Sequence, residues 1–147
     1  MSLLTRIGAA RLAGWALSGI AIAFLTLDGT LKLLAVPPVV QATGEIGFSA
    51  DLVQTLGVTL LVSTALYAAP GTAVLGAILI TGFLGGAVSV HVRQHAPLFS
   101  HVLFGVYVGV LVWGGLYLRD PRLRALLPLR RRPAQAGASA MADSSRP

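Results

Sequence analysis

Residues 52–92 read LVQTLGVTLLVSTALYAAPGTAVLGAILITGFLGGAVSVHV, and this stretch decides the fold. Apart from His91 it carries no acidic or basic side chain. Its length suits two crossings of a bilayer at about 20 residues each. Pro70-Gly71 divides it, because proline cannot continue a helix and Pro-Gly marks a turn. The pattern predicts one span over about 52–69 and the next over about 72–90, joined by a tight turn.

Upstream, residues 12–27 are uncharged, and the apolar run continues through Asp28 and Lys32 to about Val36, where Pro37 and Pro38 oppose further helix. This predicts a span over about 12–36. Arg6 and Arg11 before an apolar run also resemble the start of a cleaved signal peptide. The run is longer than a signal's apolar segment and shows no clear cleavage site, so an uncleaved span is the expectation. Between residues 36 and 50, Gly44, Glu45, Gly47 and Ser49 mark a connection lying against the membrane surface, with room for one short helix. Downstream, a polar patch from His91 through Arg93 to His95 precedes Pro97, and a fourth span follows over about 99–118. The expected fold is all-α: an integral membrane bundle of four transmembrane helices, forming one domain over 1–132 whose segment 119–132 is a basic stretch beside the membrane. Residues 133–147 are small and polar, rich in Pro, Ala and Ser, and are expected to form a disordered tail.

Composition agrees. The 147 residues are 55% hydrophobic and 11% charged, with a mean hydropathy of +0.80, too apolar for an ordinary soluble domain of this size. The absence of cysteine excludes disulfides, thiolate metal sites and CxxC redox chemistry. A net charge of +6 raises nucleic acid as a partner, but six arginines, Arg119, Arg122, Arg124, Arg130, Arg131 and Arg132, directly follow the last span. Membrane orientation explains them, so a lipid bilayer and no nucleic acid is the expectation. With four spans both termini share a side, and the basic flanks make that side cytoplasmic; Lys32 and Arg93 fall on the other. Trp15, Tyr67, Trp113 and Tyr117 all map near the inner interface. Gly82 with Gly86, and Gly105 with Gly109, are small residues at helical spacing that predict close packing of the third span on the fourth.

In this arrangement Asp28 lies about 24 Å along the first span, near the outer end of a bilayer core of about 30 Å, with Lys32 one turn beyond. His91 ends the third span on the same side, and Asp51 and Gln54 open the second there. Ionisable groups at membrane depth are costly and tend to face a bundle interior or wet cavity, so Asp28, Lys32, Gln54 and His91, with Glu45 of the outer connection, form the candidate ligand site, a polar cluster at the outer face. The bland alternative is a local i, i+4 ion pair with Lys32 reaching to the headgroups. His91 and His95 stand at i and i+4, but zinc needs more ligands, and no metal is expected. Arg93 and Glu45 lie in outer connections, where a solvated charge is the default. No nucleophile with an adjacent base, no phosphate loop and no zinc-protease motif is present, so no catalytic residues are assigned.

The end of the first span, Asp28-Gly-Thr-Leu-Lys32-Leu, resembles the Gly-x-x-Lys-Leu of the DoxX-like family of small bacterial four-helix membrane proteins. Glu45-Ile-Gly47-Phe and the segment from Thr81 to Ala87 leading to His91 are similar to that family as well, and the likeness spans about residues 15–118. The resemblance implies a multi-pass protein of the bacterial plasma membrane and a link to quinone-coupled sulfur oxidation, as in the small subunits of thiosulfate:quinone oxidoreductase. It singles out Gly29, Lys32, Glu45, Gly47, Gly82, Gly86 and His91. Asp28 departs from the family pattern, where many members carry a small or polar residue, and alters the charge of the site. The implied role is an accessory or ligand-binding component of a quinone-linked membrane system, with quinone as the candidate cofactor and a redox protein or a second copy as candidate partner. The alternatives are the membrane subunit of a quinone oxidoreductase whose redox centre sits in a partner, or a small-solute transporter, which the absence of repeat symmetry disfavours.

Overall fold

The computed structural model describes residues 3–126, with side chains from Gly8 onward. Arg130, Arg131, Arg132 and the expected tail over 133–147 lie outside these residues, as does the side chain of Arg6. Helix α1 (Leu3–Leu33) is followed by a short α2 (Pro37–Glu45), then α3 (Ala50–Ala68) and α4 (Ala73–Arg93). A single π turn (Leu98–Val102) leads into α5 (Phe104–Arg119), and α6 (Pro121–Leu126) closes the described chain. Among the described residues there is no strand. Four helical stretches are long and apolar enough to cross a membrane: α1, α3, α4, and the π turn continued by α5. The chain is thus an all-α integral membrane protein whose spans alternate in direction.

α1 packs along both α3 and α5, and α4 packs along the same two helices, so α1 and α4 are the diagonal pair. The shared core is built from Ala21 and Leu25 of α1, Leu60 and Tyr67 of α3, Ala77 and Ile80 of α4, and Val108, Val112 and Leu116 of α5. Ile20, Leu27, Val62, Ile78 and Val110 point outward, where lipid solvates them as well as a core would. Several hydroxyls in the spans are satisfied locally. Thr59, Ser63, Thr64 and Thr81 each donate to the carbonyl four residues earlier, within 2.8 Å, so no polar hydrogen of theirs faces hydrocarbon.

Backbone contacts between helices are made at glycines. A Cβ at Gly57 would fall 2.6 Å from the Leu33 nitrogen, and one at Gly115 would fall 2.8 Å from the Ser18 nitrogen. Gly29 faces Gly57 across the α1–α3 seam, and Gly14 faces Leu118 and Arg119 across the α1–α5 seam. Gly76 meets the backbone of Tyr67 where α3 turns into α4. Of the four glycines that helical spacing nominated for packing, Gly105 alone touches another helix, its Cβ position lying 2.8 Å from Val88 Cγ2. Gly82, Gly86 and Gly109 have open space within 4 Å. The third and fourth spans do pack together, as expected, but not through a paired glycine stripe. Their contacts include Trp113, whose indole donates to Thr81 Oγ1 at 2.8 Å midway along α4, and so Trp113 is no headgroup anchor.

At the end of the bundle away from the termini, three helices stop in the same way. In α1 the Val36 nitrogen bonds back to Leu31 and the Ala35 nitrogen to Lys32, with Ala35 at φ 48°. α2 closes likewise with Gly47 at φ 91°, and α4 with His95 at φ 52°. This is the paired termination that favours glycine at its left-handed position. It ends α1 before the prolines, which do not merely stop a helix but start the next one, as Pro37 and Pro38 occupy the first turn of α2. Ala35 pays the left-handed penalty without need. Ala35→Gly is expected to raise the stability of the bundle by about 1 kcal/mol, read as a shift of the unfolding midpoint in mixed micelles titrated with sodium dodecyl sulfate.

Candidate functional site

The last two turns of α1 carry the Asp28–Lys32 ion pair. Gly29 turns toward α3, which fixes the rotation of the helix and leaves its two neighbours on the flank of that seam. The side chain of Lys32 is 17% exposed and that of Asp28 32%, so both charges are mostly withdrawn from solvent. Gln54, exposed in the first turns of α3, donates to the Leu33 carbonyl at 3.3 Å. It thereby satisfies one of the carbonyls that the end of α1 leaves open and ties the pair's helix to α3.

A second polar group sits on the other side of the same end. His91 is half-buried near the end of α4, and its ring meets that of His101 edge to face with centroids 5.6 Å apart. The π turn aims His101 there, and Ser100 Oγ lies 2.7 Å from His101 Nδ1. Gln94 donates to the Glu45 carbonyl at 2.9 Å, joining α4 to α2, while the exposed Glu45 carboxylate accepts from Gln41 at 3.2 Å. The Arg93 guanidinium lies against Gly47, 3.3 Å from where a Cβ would stand. Ile46, Gly47, Phe48, Ser89, Val90 and Arg93 line a shallow cleft of about 370 Å³ between the α2 connection and α4.

The residues expected to converge thus form two groups. Asp28, Lys32 and Gln54 hold together at the α1–α3 seam; His91 and Glu45 belong to the α4 side, and no hydrogen bond joins the groups among the described residues. The diagonal placement of α1 and α4 is the reason. Chemically, the first group offers an ammonium donor with its own counter-charge in an apolar helix. The second offers two imidazole rings in edge-to-face contact. Among the described residues no three His, Asp or Glu side chains gather as a metal would need.

Sequence reasoning missed a polar network at the opposite end. Tyr67 is fully buried; its hydroxyl lies 2.9 Å from Ser18 Oγ and donates to the Val112 carbonyl at 2.8 Å, linking α3, α1 and α5. Arg119, 6% exposed, donates from Nη2 to the Tyr67 carbonyl at 3.0 Å, and its guanidinium lies over the rings of Trp15 and Tyr67 at 4.7 and 4.9 Å. Tyr67 is therefore a core residue instead of an interface anchor. The available signal was Ser18, a hydroxyl in the uncharged part of the first span.

A model of the DoxX-like family matches residues 16–115, which takes in both polar groups at the far end and the Ser18–Tyr67–Val112 network but stops short of Arg119. Neither the curated proteins nor the solved structures contain a match to the chain.

Proposed function

The chain belongs to the DoxX-like family, and on that premise we propose that it is an accessory, ligand-binding component of a quinone-linked or redox membrane system, taking a small polar or quinone-like head group at the end of the bundle away from the termini. One observation carries the reading: the partly buried Asp28–Lys32 pair in the last two turns of a helix that is uncharged from residue 12 to residue 27. A membrane helix bears the cost of two such charges where they do something, and a ligand carbonyl oxygen is what an ammonium with its own counter-ion can accept into an apolar site. Lys32 donates to the ligand, Asp28 balances its charge, Gln54 steadies the helix end, and His91 with His101 exchanges protons on the neighbouring seam; Glu45 lies at the rim. The protein does not catalyse on its own; a redox protein partner supplies the electron-transfer centre, and a second copy of the chain is the alternative partner. The arginine-rich end faces the cytoplasm of a bacterial cell and the site faces away from it.

The test is mass spectrometry of small molecules that survive gentle purification of the full chain. Quinone is expected with the wild-type protein, reduced at least tenfold by Lys32→Met and to a lesser degree by His91→Ala. A wild-type protein free of quinone, or one whose quinone persists in both variants, refutes the reading; proton-driven solute uptake into proteoliposomes would put a transporter in its place.

A further inference from the structure

The buried arginine at the termini-bearing end is incompletely satisfied. Arg119 Nη1 has no hydrogen-bond acceptor among the described residues, although Nη2 donates to the Tyr67 carbonyl and the guanidinium lies over the Trp15 and Tyr67 rings. A buried, charged donor without an acceptor is costly, and a structure that keeps one is poised for an anion. Arg119 lines a cleft of about 320 Å³ between α1, the α3–α4 turn and the start of α6. Arg11 and Arg122 line it too, and the one carboxylate there, Asp120, already accepts from the Arg122 backbone nitrogen at 2.8 Å. Three guanidinium groups against one carboxylate leave the cleft strongly positive. No ion pair within the described residues involves any of the three arginines.

The surroundings indicate what kind of anion. Trp15, about half exposed, forms part of the wall, and Leu12 beside it is 73% exposed. Val74 and Leu75, exposed near the start of α4, follow directly on Ala73 of the cleft lining. A free phosphate has no use for that apolar margin, whereas a phospholipid lays its acyl chains there while its headgroup enters the cleft. We propose that this cleft is a binding site for an anionic phospholipid, with the phosphate anchored on Arg119 and held at the rim by Arg11 and Arg122. The site lies at the opposite end of the bundle from Asp28 and Lys32.

The experiment uses the full chain in nanodiscs of phosphatidylcholine containing a minor fraction of phosphatidylglycerol, with retained lipid read by native mass spectrometry. The wild-type protein is expected to retain phosphatidylglycerol at least tenfold over its share of the bilayer, and millimolar inorganic phosphate is expected not to displace it. Arg11→Gln and Arg122→Gln, both at exposed positions, should each lower retention about fivefold and together more than tenfold, with the unfolding midpoint unchanged. Arg119→Lys keeps the charge but loses the planar stack, and should lower retention while the protein still folds. Arg130→Gln, Arg131→Gln and Arg132→Gln together should leave retention as it was, because a mere excess of basic residues is not the site. Retention without preference for phosphatidylglycerol overturns the proposal, as does retention abolished by the Arg130–132 substitutions alone. Displacement by inorganic phosphate would assign the cleft to a free oxyanion, and release of a co-purifying acidic protein by the rim substitutions, with no lipid retained, would assign it to a protein partner.

Discussion

Gly57→Leu is expected to prevent α1 and α3 from packing, while Gly82→Leu is expected to leave the bundle folded. At position 57 the added Cβ would lie 2.6 Å from the Leu33 nitrogen, 2.8 Å from the Gly29 carbonyl oxygen and 3.0 Å from the Lys32 carbonyl carbon. All three are backbone atoms, so no rotamer change relieves the clash and the two helices must move apart. Overpacking of a close-packed seam costs about 1–3 kcal/mol, and a contact made wholly of backbone belongs at the upper end; Gly57→Ala should cost about 2–3 kcal/mol and the leucine more. The displaced segment is the turn that carries Lys32, so the same variant should lose its ligand. At Gly82 and Gly86 nothing lies within 4 Å of the added atom, and alanine there gains up to about 1 kcal/mol of helix propensity. Unfolding midpoints in mixed micelles separate the two classes. A Gly57→Ala protein as stable as wild type would mean that the α1–α3 seam is not where the bundle closes.

This contrast shows how far the sequence reached. The four spans were legible because the solvent is lipid: every backbone hydrogen bond must be made internally, so long uncharged runs are helices, and Pro70-Gly71 and Pro97 mark where they turn or restart. Which face of each helix meets its neighbour was not legible. In water an apolar stripe marks the buried face, but these helices are apolar all round, and Ile20 and Leu27 in lipid look no different in sequence from Ala21 and Leu25 in the core. Spacing within one helix picked out Gly82 with Gly86. The glycines in contact come one or two to a helix and meet across seams, Gly29 with Gly57 and Gly14 with the end of α5, and only the assembled register reveals such pairs.

The site was readable to the same extent. Asp28 and Lys32 are four residues apart on one helix, so their pairing follows from helix geometry alone. The edge contact of His91 with His101 depends on the π turn after Pro97, and the Gln54 bond to Leu33 on how deeply α3 sits beside α1; neither leaves a mark in the linear pattern. Arg119 was grouped with five other arginines as a marker of orientation. What sets it apart is that α5 continues about one turn past Leu116 and brings its guanidinium over the rings of Trp15 and Tyr67.

Removing either partner of the Asp28–Lys32 pair is expected to cost more than removing both. Lys32→Met leaves a carboxylate, and Asp28→Leu an ammonium, mostly shielded from water at the end of an apolar helix, and breaking such a pair leaves one charge without compensation. Partial exposure and nearby headgroups soften the loss, so each single substitution should lower stability by about 1–2 kcal/mol, less than for a fully buried pair. The double variant replaces two charges by two apolar side chains that lipid solvates well, and should recover most of that loss; the coupling between the sites, about 0.5–3 kcal/mol for neighbours in contact, is read directly from the four unfolding curves. Its value for function is greater. If the pair is only a local ion pair with Lys32 reaching for the headgroups, the stable double variant will retain whatever ligand the wild type carries. If Lys32 holds the ligand, the double variant will fold and yet be empty. Single variants that cost nothing would mean instead that both charges are already solvated, and the site would have to be sought on the His91 side of the bundle.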